Sequence, residues 1–338
     1  MKKLSVLMCV HNGEEFLKEA VKSVLDQTFS DFEFLIVDDA SSDSSAEILS
    51  SFADPRIQVI KNESNLGLTK SLNKGLTFAK GEFIARMDAD DICLPHRFEK
   101  QIDFFGRYPE VDLVGSYVSF IGSSTGIGGF PEAHEIIKLT ALANSPFAHP
   151  AVMWRREVFE KLQLRYDEDY RTSQDFELWS RAVHKVKTAN IPEALIYYRE
   201  HFKQITKSKQ TNQQANARRI KLKQLDNLGL TPSENEIIAH LCLFDGQFNE
   251  YREPEYLKAA DEWMYKIILA NKMVNLYDEQ LLLNFWKDKF FSGGLFRYDL
   301  GVWGALSRSK CVQHCVVSPR DKFKLFVKCL IRWTIKKG

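Results

Sequence analysis

Three carboxylates stand within four residues, at Asp88, Asp90 and Asp91. They directly follow the stretch Glu82–Met87, which is mostly apolar and has the length of a strand. Like charges this close are costly to bury unless a positive charge lies beside them. The carboxyl end of a parallel strand is where open α/β sheets bind ligands, so these carboxylates could hold a divalent cation there. The alternative is a solvated acidic turn in which Asp91 caps the next helix.

A second acidic pair, Asp38–Asp39, ends the apolar stretch Phe32–Val37. A carboxylate at that strand end could accept hydrogen bonds from a ribose or a pyrimidine ring. Magnesium usually takes one or two carboxylates plus substrate phosphates, which suits the D-x-D spacing of Asp88 and Asp90. Alone, Asp38–Asp39 is equally well interpreted as a turn with local side-chain hydrogen bonds. Together, the two clusters predict a site for a nucleotide diphosphate with Mg²⁺ or Mn²⁺.

An alternation of strands and helices must position these clusters. Apolar runs predict strands, and apolar stripes at helical spacing predict helices between them. Such alternation predicts a parallel sheet with helices on both faces. No G-x-G-x-x-G follows the first strand, so a dinucleotide fingerprint is missing. The predicted strands are Leu4–Val10, Phe32–Val37, Ile57–Ile60 and Glu82–Met87, and the predicted helices are Glu14–Gln27, Ser42–Phe52 and Leu68–Ala79.

The same alternation continues beyond the acidic turn. A helix is predicted from Pro95 to about Arg107, and another over Ser173–Val186. The glycine-rich stretch Gly122–Gly129 lacks the Gly-Lys-Ser/Thr of a phosphate loop, so we expect a mobile loop or turn. Strands are predicted at Val111–Ile121, Ala148–Trp154 and Ala194–Arg199.

The composition and the predicted secondary structure of the chain change near residue 205. The polar stretch Lys207–Gln214 contains no core residues, and helical patterns dominate beyond it. We therefore predict a catalytic domain over residues 1–204 and a helical domain over residues 205–338. The helical patterns are Gln213–Leu228, Ser233–Phe244, Pro254–Ala270, Tyr277–Phe291 and Arg320–Ile335.

Composition narrows the class of protein. The formal net charge of +1 over 338 residues argues against a general nucleic-acid binder. No apolar run reaches the ~18 residues of a membrane span, and the N-terminus does not resemble a signal peptide. The six cysteines form no dense framework, which indicates a reducing, cytoplasmic setting. A zinc site is suggested by Cys311, His314 and Cys315, but no second close pair of ligands accompanies these three residues.

Five segments within about the first 200 residues carry a family pattern, in this order: LSVLMCVHNGEEFL, SVLDQTFSDFEFLIVDDASSDSS, NLGLTKSLNKGLTFAKGEFIARMDADD, HPAVMWR and SQDFELWSRA. With these segments, the chain resembles the family 2 glycosyltransferases with the GT-A fold. Two departures stand out: members commonly carry a Pro and an aromatic residue within Cys9–Asn12, and many carry an Arg before Asn73. The first leaves the nucleotide base open, and the second implies that a positive contact to the diphosphate comes from elsewhere.

The resemblance implies a set of donor-binding residues. Val10 and Asn12 would border the nucleotide base, with Glu14 nearby. Asp39 would contact the base or the ribose, and Asn73 would lie near the donor.

The resemblance also implies the reacting groups. Asp88 would contact the ribose or the donor sugar, and Asp90 would bind the metal. Asp175 matches the catalytic base. Arg199 and His201 fall where a mobile segment can cover the diphosphate, with Arg199 as a donor contact and His201 as a further metal ligand. The alternative for His201 is an ordinary surface residue.

Asp175 also stands near the start of a predicted helix. The helix dipole would keep it ionised at neutral pH while lowering its basicity somewhat. The alternative is a simple helix N-terminal charge. Glu177, two positions on, should leave the helix on a different face, so Glu177→Gln is expected to behave nearly like wild type.

The function implied by the resemblance is metal-dependent, inverting transfer of a sugar from a nucleotide-diphosphate donor to an acceptor hydroxyl. The donor would be a UDP-sugar carrying a hexosyl or N-acetylhexosaminyl group, and the cofactor Mn²⁺ or Mg²⁺. The acceptor would be a glycan or lipid-linked glycan in bacterial cell-surface polysaccharide biosynthesis.

Other classes of protein fit less well. A sugar nucleotidyltransferase would need a glycine-rich basic loop where His11–Glu15 is acidic, and a glycosidase needs neither nucleotide nor metal. A catalytically inactive partner of a biosynthetic complex would not need the complete set Asp39, Asp90 and Asp175.

The stretch 320–337 carries seven basic residues against one acidic residue. Basic positions recur every fourth residue, and apolar positions fall on the other face, as in a helix lying on an anionic membrane. The alternative is a C-terminal helix packed on its own domain. The membrane interpretation would place a cytoplasmic protein at the inner face of the plasma membrane.

Overall fold

The computed structural model describes residues 2–202, 204, 210–245, 254–291, 309, 311 and 327. Within them the chain divides into two compact units. The first comprises the residues up to 141 together with 145–217, and the second comprises 142–144 together with the described residues from 218 onward. The domain boundary expected at residue 204 stays a prediction. The basic stretch 320–337, apart from Val327, and the pair His314 and Cys315 lie outside the described residues.

A nine-stranded sheet forms the centre of the first unit. Its order is β3-β2-β1-β4-β8-β6-β9-β5, with β7 paired to β6. The pairs β1–β2, β1–β4, β2–β3 and β6–β9 are parallel. The strands are β1 (Leu4–Val10), β2 (Phe32–Asp38), β3 (Ile57–Lys61), β4 (Phe83–Asp88), β5 (Ile92–Cys93), β6 (Leu113–Gly122), β7 (Gly126–Gly128), β8 (Met153–Arg155) and β9 (Thr188–Glu200).

Eleven α-helices are found in the described residues, and two 3₁₀ turns, His149–Ala151 and Gln224–Leu228, accompany them. The helices of the first unit are α1 (Leu17–Leu25), α2 (Ser45–Ser50), α3 (Leu68–Leu76), α4 (Arg97–Arg107), α5 (His134–Thr140), α6 (Arg156–Lys161) and α7 (Gln174–Ala182). The chain then continues in α8 (Gln210–Lys223), α9 (Glu234–Asp245), α10 (Pro254–Val274) and α11 (Glu279–Phe291).

The registers of β1 place the two acidic clusters side by side. Val10 pairs with Asp38 on one side, and Cys9 pairs with Asp88 on the other. Because the three strands are parallel, their carboxyl ends meet at one edge of the sheet. Both acidic clusters therefore lie at one edge of the sheet, on two strands that β1 separates.

Both faces of the central strands are buried, which explains their nearly continuous apolar runs. Side chains of a strand alternate between the faces, and each face has its own apolar cluster. Met8 and Met87 belong to one cluster. Leu7 and Ile84 belong to the other.

The predicted strand Ala148–Trp154 is wrong in its first half. Its residues form the 3₁₀ turn His149–Ala151, and the strand begins only at Met153. Pro150 has no N–H to donate to a neighbouring strand, which disfavours the ladder there. The stretch Gly122–Gly129 forms a turn and the short strand β7. The short elements β5, α5 and α6 were not predicted.

A buried arginine fixes this irregular segment to the sheet. Arg97 is fully buried, and Nη2 donates to the carbonyl oxygens of Arg86 and Val152 at 2.9 and 3.1 Å. Its Nε donates to Gln101 Oε1 at 3.0 Å. Burial lowers the pKa of Arg97. These hydrogen bonds hold β4 and the chain entering β8 at a fixed spacing.

The close approach of Gly81, just before β4, to strand β1 can be tested by mutation. Gly81 donates to Ser5 Oγ at 2.8 Å, and a Cβ on Gly81 would lie 2.4 Å from Ser5 N and 2.5 Å from the carbonyl carbon of Leu4. These are backbone atoms, so Gly81→Ala should push β4 away from β1 and lower the free energy of unfolding by about 2 kcal/mol. Urea unfolding followed by tryptophan fluorescence measures this.

The control is Gly106→Ala in α4, where an added Cβ meets nothing within 4 Å. Alanine is favoured in a helix, so this variant should be stabilised by up to about 1 kcal/mol. Equal unfolding midpoints for the two variants would contradict the close approach at Gly81.

Candidate active site

The acidic residues after β4 form a tight cluster. One carboxylate oxygen each from Asp88, Asp90 and Asp91 lies within 4.8 Å of the other two. Asp91 is almost fully buried, and the other two are partly exposed. Burial and then the charge of Asp88 raise the pKa of Asp90 and, more strongly, the pKa of Asp91. The cluster therefore carries an uncompensated repulsion in the folded protein.

A buried arginine lies directly beneath this cluster. Arg86 is fully buried, and its Nη2 forms a very close ion pair with Asp88 Oδ1. Burial opposes its charge, but Asp88 outweighs burial, so the pKa of Arg86 lies above its usual value. Its Nε and Nη1 have no hydrogen-bond partner among the described residues. Arg86 offsets only part of the acidic charge.

Arg199 holds the acidic turn from β9. Its backbone N–H donates to Asp91 Oδ1 at 2.7 Å, and its Nε donates to the Asp90 carbonyl at 2.9 Å. Its Nη2 donates to Glu19 Oε2 at 2.6 Å, and the guanidinium lies 4.5 Å from the centre of the Phe16 ring. The polar atoms of Arg199 are thus engaged within the protein. Asp91 Oδ2 has no partner among the described residues.

His201 lies beside Asp90. Its Nε2 is 3.0 Å from Asp90 Oδ2, and its ring centre is 5.0 Å from that of Phe16. With 21% of its side chain exposed, His201 is not a free surface residue. The structure brings together the two residues that the sequence predicts as metal ligands.

Residues expected at the nucleotide base connect the loops after β1 and β2. Asn12, with φ of +54°, accepts hydrogen bonds at Oδ1 from Ser42 N at 2.8 Å. Glu14 Oε2 accepts from Ser44 N at 3.0 Å. Val10 is buried at the end of β1. These contacts fix both loops at the same sheet edge.

Asp39 holds the loop that leads into α3. Its carboxylate accepts from Asn62 Nδ2 at 2.7 Å and from the backbone N–H groups of Leu66 and Gly67 at 2.8 Å each. Burial raises the pKa of Asp39, but these hydrogen bonds together outweigh it and hold the pKa below its usual value. A hydrogen bond from the Ser71 side chain also lowers this pKa, so the buried carboxylate of Asp39 is engaged within the protein.

Asn73 lies away from the acidic cluster. Its Nδ2 donates to the Tyr166 carbonyl at 2.9 Å, and its Oδ1 accepts from Tyr166 N at 3.2 Å. It lines a separate depression with Lys70 and Arg165. Asn73 therefore lines a different depression from the acidic cluster, and its place near the donor stays a prediction.

A cavity of about 430 Å³ opens beside the cluster, a volume within the usual range for small-molecule sites. Arg86 and the buried His149 also line it, and burial holds the pKa of His149 well below its usual value, so this imidazole is neutral. Part of the lining is acidic and consists of Asp88, Asp90, Asp91, Asp175 and Glu200. Another part is apolar and includes Val118, Phe120, Phe130, Phe147 and Tyr198.

Asp175 enters this cavity from the first turn of α7. The preceding Ser173 has a φ of +58°, which sets the direction in which the helix begins. Burial raises the pKa of Asp175, although the N–H of Phe176 and the charge of Arg86 lower it. The prediction that the helix dipole lowers the basicity of Asp175 is therefore wrong, because desolvation has the larger effect. An ionised Asp175 is a stronger base than an exposed aspartate.

Glu177 has a structural role instead. It is buried, and it accepts from Arg181 Nε at 2.8 Å and Nη2 at 2.6 Å. The near-wild-type behaviour expected for Glu177→Gln does not fit this two-point ion pair, whose loss should lower stability.

Sequence reasoning missed two residues of the site. It included Asp91 among the possible cation ligands, with a helix cap as the alternative, and Asp91 is the most buried member of the cluster. Arg86 stands two positions before Asp88, so strand alternation could have placed both on one face. Tyr198 follows Tyr197, and no sequence signal distinguishes the one that reaches the cavity.

The donor atoms present fit a divalent cation. Carboxylate oxygens are the ligands that Mg²⁺ and Mn²⁺ prefer. The unpartnered Asp91 Oδ2 and the raised pKa of Asp90 both indicate missing positive charge at this point. Asp88, Asp90 and Asp91 are the residues that could hold it.

Comparison with known proteins identifies similar chains. The family model described as "Glycosyl transferase family 2" matches residues 5–163. An uncharacterised glycosyltransferase of Haemophilus influenzae is 32% identical over 231 residues, which are 64% of this chain and 72% of that protein. The Escherichia coli O-antigen biosynthesis glycosyltransferase WbnJ is 32% identical over 216 residues, 61% of this chain and 82% of WbnJ.

Solved structures extend the likeness to the fold. S. aureus TarS 1-349 in complex with UDP-GlcNAc matches with a TM-score of 0.59 at 18% identity, and the match covers 85% of this chain and 88% of TarS 1-349. The predicted α/β fold of the GT-A type, with a mostly parallel sheet flanked by helices, is confirmed. No helix in the described part of the chain is long and apolar enough to cross a membrane.

The repulsion in the cluster predicts a pH dependence of stability. Raised pKa values mean that folding tightens proton binding at Asp90 and Asp91, so the cluster should favour the fold of the metal-free protein more at about pH 5.5 than at about pH 7.5. The lowered pKa values of His134 and His149 act in the opposite direction over this interval, whereas the lowered pKa of Asp39 acts only below its ordinary value of 3.8. The effect of the cluster is therefore the difference in stability between wild type and Asp91→Asn, which should be larger at the higher pH, where Asp91→Asn should stabilise the metal-free protein by about 1 kcal/mol or more.

Urea unfolding in chelator at both pH values measures this effect. Added Mn²⁺ should stabilise wild type by mass action, and Asp91→Asn should lose that increment. Asp103→Asn, on the exposed side of α4, is the control and should behave like wild type. Destabilisation of metal-free Asp91→Asn at the higher pH would show that the cluster is not under repulsive strain.

Proposed function

This chain belongs to glycosyl transferase family 2, and from that membership we propose that it transfers a sugar from a nucleotide-diphosphate donor to a hydroxyl of a glycan acceptor. The observation that carries the proposal is the convergence of Asp88, Asp90, Asp91 and Asp175 on one cavity. A donor diphosphate brings negative charge and needs a cation, whereas an acceptor hydroxyl needs a base. The cavity offers residues for both.

The metal-binding residues are Asp88, Asp90 and Asp91, with His201 within reach of Asp90. A divalent cation, Mg²⁺ or Mn²⁺, would neutralise the charge that develops on the leaving diphosphate. Asp90 and Asp91 would then be fully ionised, since their pKa values are raised mainly by burial and by neighbouring carboxylates.

The donor nucleotide would lie over the ends of β1 and β2. Asp39 is the proposed contact to the ribose or base, and Asn12 and Glu14 shape the adjoining loops. Arg199 acts through Asp90 and Asp91 by holding the acidic turn. Asn73, which holds Tyr166, is proposed to lie near the donor.

Asp175 is the proposed general base. It takes the proton of the acceptor hydroxyl while that oxygen forms a bond to the anomeric carbon, and the bond from this carbon to the diphosphate breaks. Attack from the side facing away from the diphosphate inverts the configuration of the anomeric carbon. The neutral His149 in the same cavity can donate or accept a hydrogen bond without competing for the proton.

The names of similar proteins support the choice of substrates. TarS is complexed with UDP-GlcNAc, and WbnJ acts in O-antigen biosynthesis. We therefore propose a UDP-hexose or UDP-N-acetylhexosamine as donor and a cell-surface glycan, free or lipid-linked, as acceptor. We also propose that residues 1–204 carry out catalysis. Residues 205–338 would contact the acceptor or the membrane, with 320–337 lying on the membrane.

Metal removal tests the role of the acidic cluster. Chelator should abolish UDP release from a panel of UDP-sugars, and Mn²⁺ or Mg²⁺ should restore it. Asp90→Asn should reduce kcat by about 10²-fold or more while the circular dichroism spectrum is kept, because a ligand of the cation is lost. Asp103→Asn is the surface control. Full activity in chelator would instead favour a leaving group stabilised by protein cations.

Replacing the proposed base separates chemistry from binding. Asp175→Asn should reduce transfer by about 10²-fold or more, as expected for a lost general base, while UDP and Mn²⁺ still bind in calorimetry. Because the pKa of Asp175 is raised, the kcat of wild type should begin to fall on acidification at a pH above 3.8, the ordinary pKa of an aspartate. This acidic fall in kcat should be absent in the variant.

Glu157→Gln, which removes an exposed acidic charge from the first turn of α6, is the matched control and should keep wild-type transfer. Undiminished transfer by Asp175→Asn would return Asp175 to the role of a helix N-terminal charge.

A further inference from the structure

An aromatic wall, formed by Phe120, Phe130 and Tyr198, lines the cavity beyond the carboxylates. The rings of Phe120 and Tyr198 meet edge to face, with centres 5.8 Å apart and planes at 80°. All three residues are partly exposed, unlike the fully buried side chains of the core. Aromatic surface of this kind, next to charged groups, is typical of a binding site rather than of packing alone.

The aromatic wall lies on the side of the sheet away from the proposed nucleotide site. Phe120 belongs to β6 and Tyr198 to β9, whereas the nucleotide residues follow β1 and β2. In the sheet order, β4 with its acidic end stands between these two pairs of strands. Val10, Asn12 and Asp39 do not line the cavity. The wall is therefore placed for a substrate group other than the nucleotide.

The wall is fixed in place by the end of β9. Ser123 N donates to the Glu200 carbonyl at 3.0 Å, and Ser124 Oγ donates to Glu200 Oε2 at 2.6 Å. These bonds tie the turn between β6 and β7 to the strand that carries Tyr198. A binding surface that is held in this way loses little entropy when a ligand arrives.

Tyr198 adds a polar group to this apolar surface. Its hydroxyl has no hydrogen-bond partner within the described part of the chain, and it lines the same cavity as five carboxylates. Burial and the nearby charges of Asp88 and Asp91 raise the pKa of Tyr198, so the phenol keeps its proton. It is thus an O–H donor available to a ligand.

We propose that Phe120, Phe130 and Tyr198 form the subsite for the acceptor sugar, an inference that rests on the proposed function. A pyranose ring has an apolar C–H face and a rim of hydroxyl groups. The C–H face packs on the aromatic wall, Tyr198 donates to one hydroxyl, and a second hydroxyl faces Asp175 in the same cavity. A free polar group beside an aromatic surface matches such an amphipathic ring.

Adjacent tyrosines on β9 provide a matched pair of variants. Tyr198→Phe removes only the hydroxyl that faces the cavity. Tyr197→Phe makes the same chemical change one residue earlier, on the other face of the strand, where Tyr197 is 38% exposed and pairs with Ile92. Phe120→Leu removes an aromatic ring but keeps an apolar side chain, which tests the wall itself.

The assay measures UDP release by the full chain from UDP-sugars with Mn²⁺, with and without octyl glycosides of glucose, galactose, mannose, N-acetylglucosamine and N-acetylgalactosamine. We expect at least one glycoside to accelerate release by wild type. Tyr198→Phe and Phe120→Leu should each raise the KM for that glycoside about 10-fold and lower the ratio of transfer to donor hydrolysis. Tyr197→Phe should keep the wild-type KM and ratio.

Other outcomes would overturn the assignment. If Tyr198→Phe weakens UDP binding in calorimetry as much as it raises the glycoside KM, the wall binds the donor. If wild type hydrolyses a donor and no glycoside accelerates release, the wall is no acceptor subsite, while the proposed function still stands. Failure of every UDP-sugar to release UDP would overturn the proposed function as well.

Discussion

Repulsion among carboxylates at the end of β4 is the constraint on which the first unit depends. Asp88, Asp90 and Asp91 have carboxylate oxygens within 4.8 Å of one another, and two arginines act against their repulsion. Arg86 forms an ion pair with Asp88 from below, and Arg199 holds the turn through backbone and side-chain hydrogen bonds. Even so, the pKa values of Asp90 and Asp91 stay raised, so the folded chain retains a site that a cation would stabilise.

The fold was largely predictable because local patterns agree with it. Buried parallel strands produce apolar runs such as Leu4–Val10 and Phe32–Asp38, and the acidic residues at their ends mark the ligand edge. Prediction failed where tertiary contacts decide the backbone. Pro150 converts an apolar stretch into a turn, which the hydrogen bonds of the distant Arg97 hold against β4.

The candidate site was predictable to the extent that its residues stand in motifs. The D-x-D spacing and the position of Asp175 identify acidic chemistry, but burial and pairing decide what each residue does. Asp39 and Arg199 have the types expected of ligand contacts, yet most of their polar atoms are bonded within the protein. The helix dipole was expected to lower the pKa of Asp175. The pKa is raised instead, because burial is the larger effect, and burial depends on tertiary packing that the sequence does not show.

The hydrogen bond from Arg199 to Asp91 also has a consequence for the order of folding. It joins residues 108 positions apart, so the acidic turn is synthesised long before the strand that secures it. At a synthesis rate of about 5–20 residues per second, the interval is about 5–20 s. During that time a nascent chain would have the strands β1 to β4 but no anchored acidic turn. Completion of the cation site is therefore a late event that reports the docking of β9.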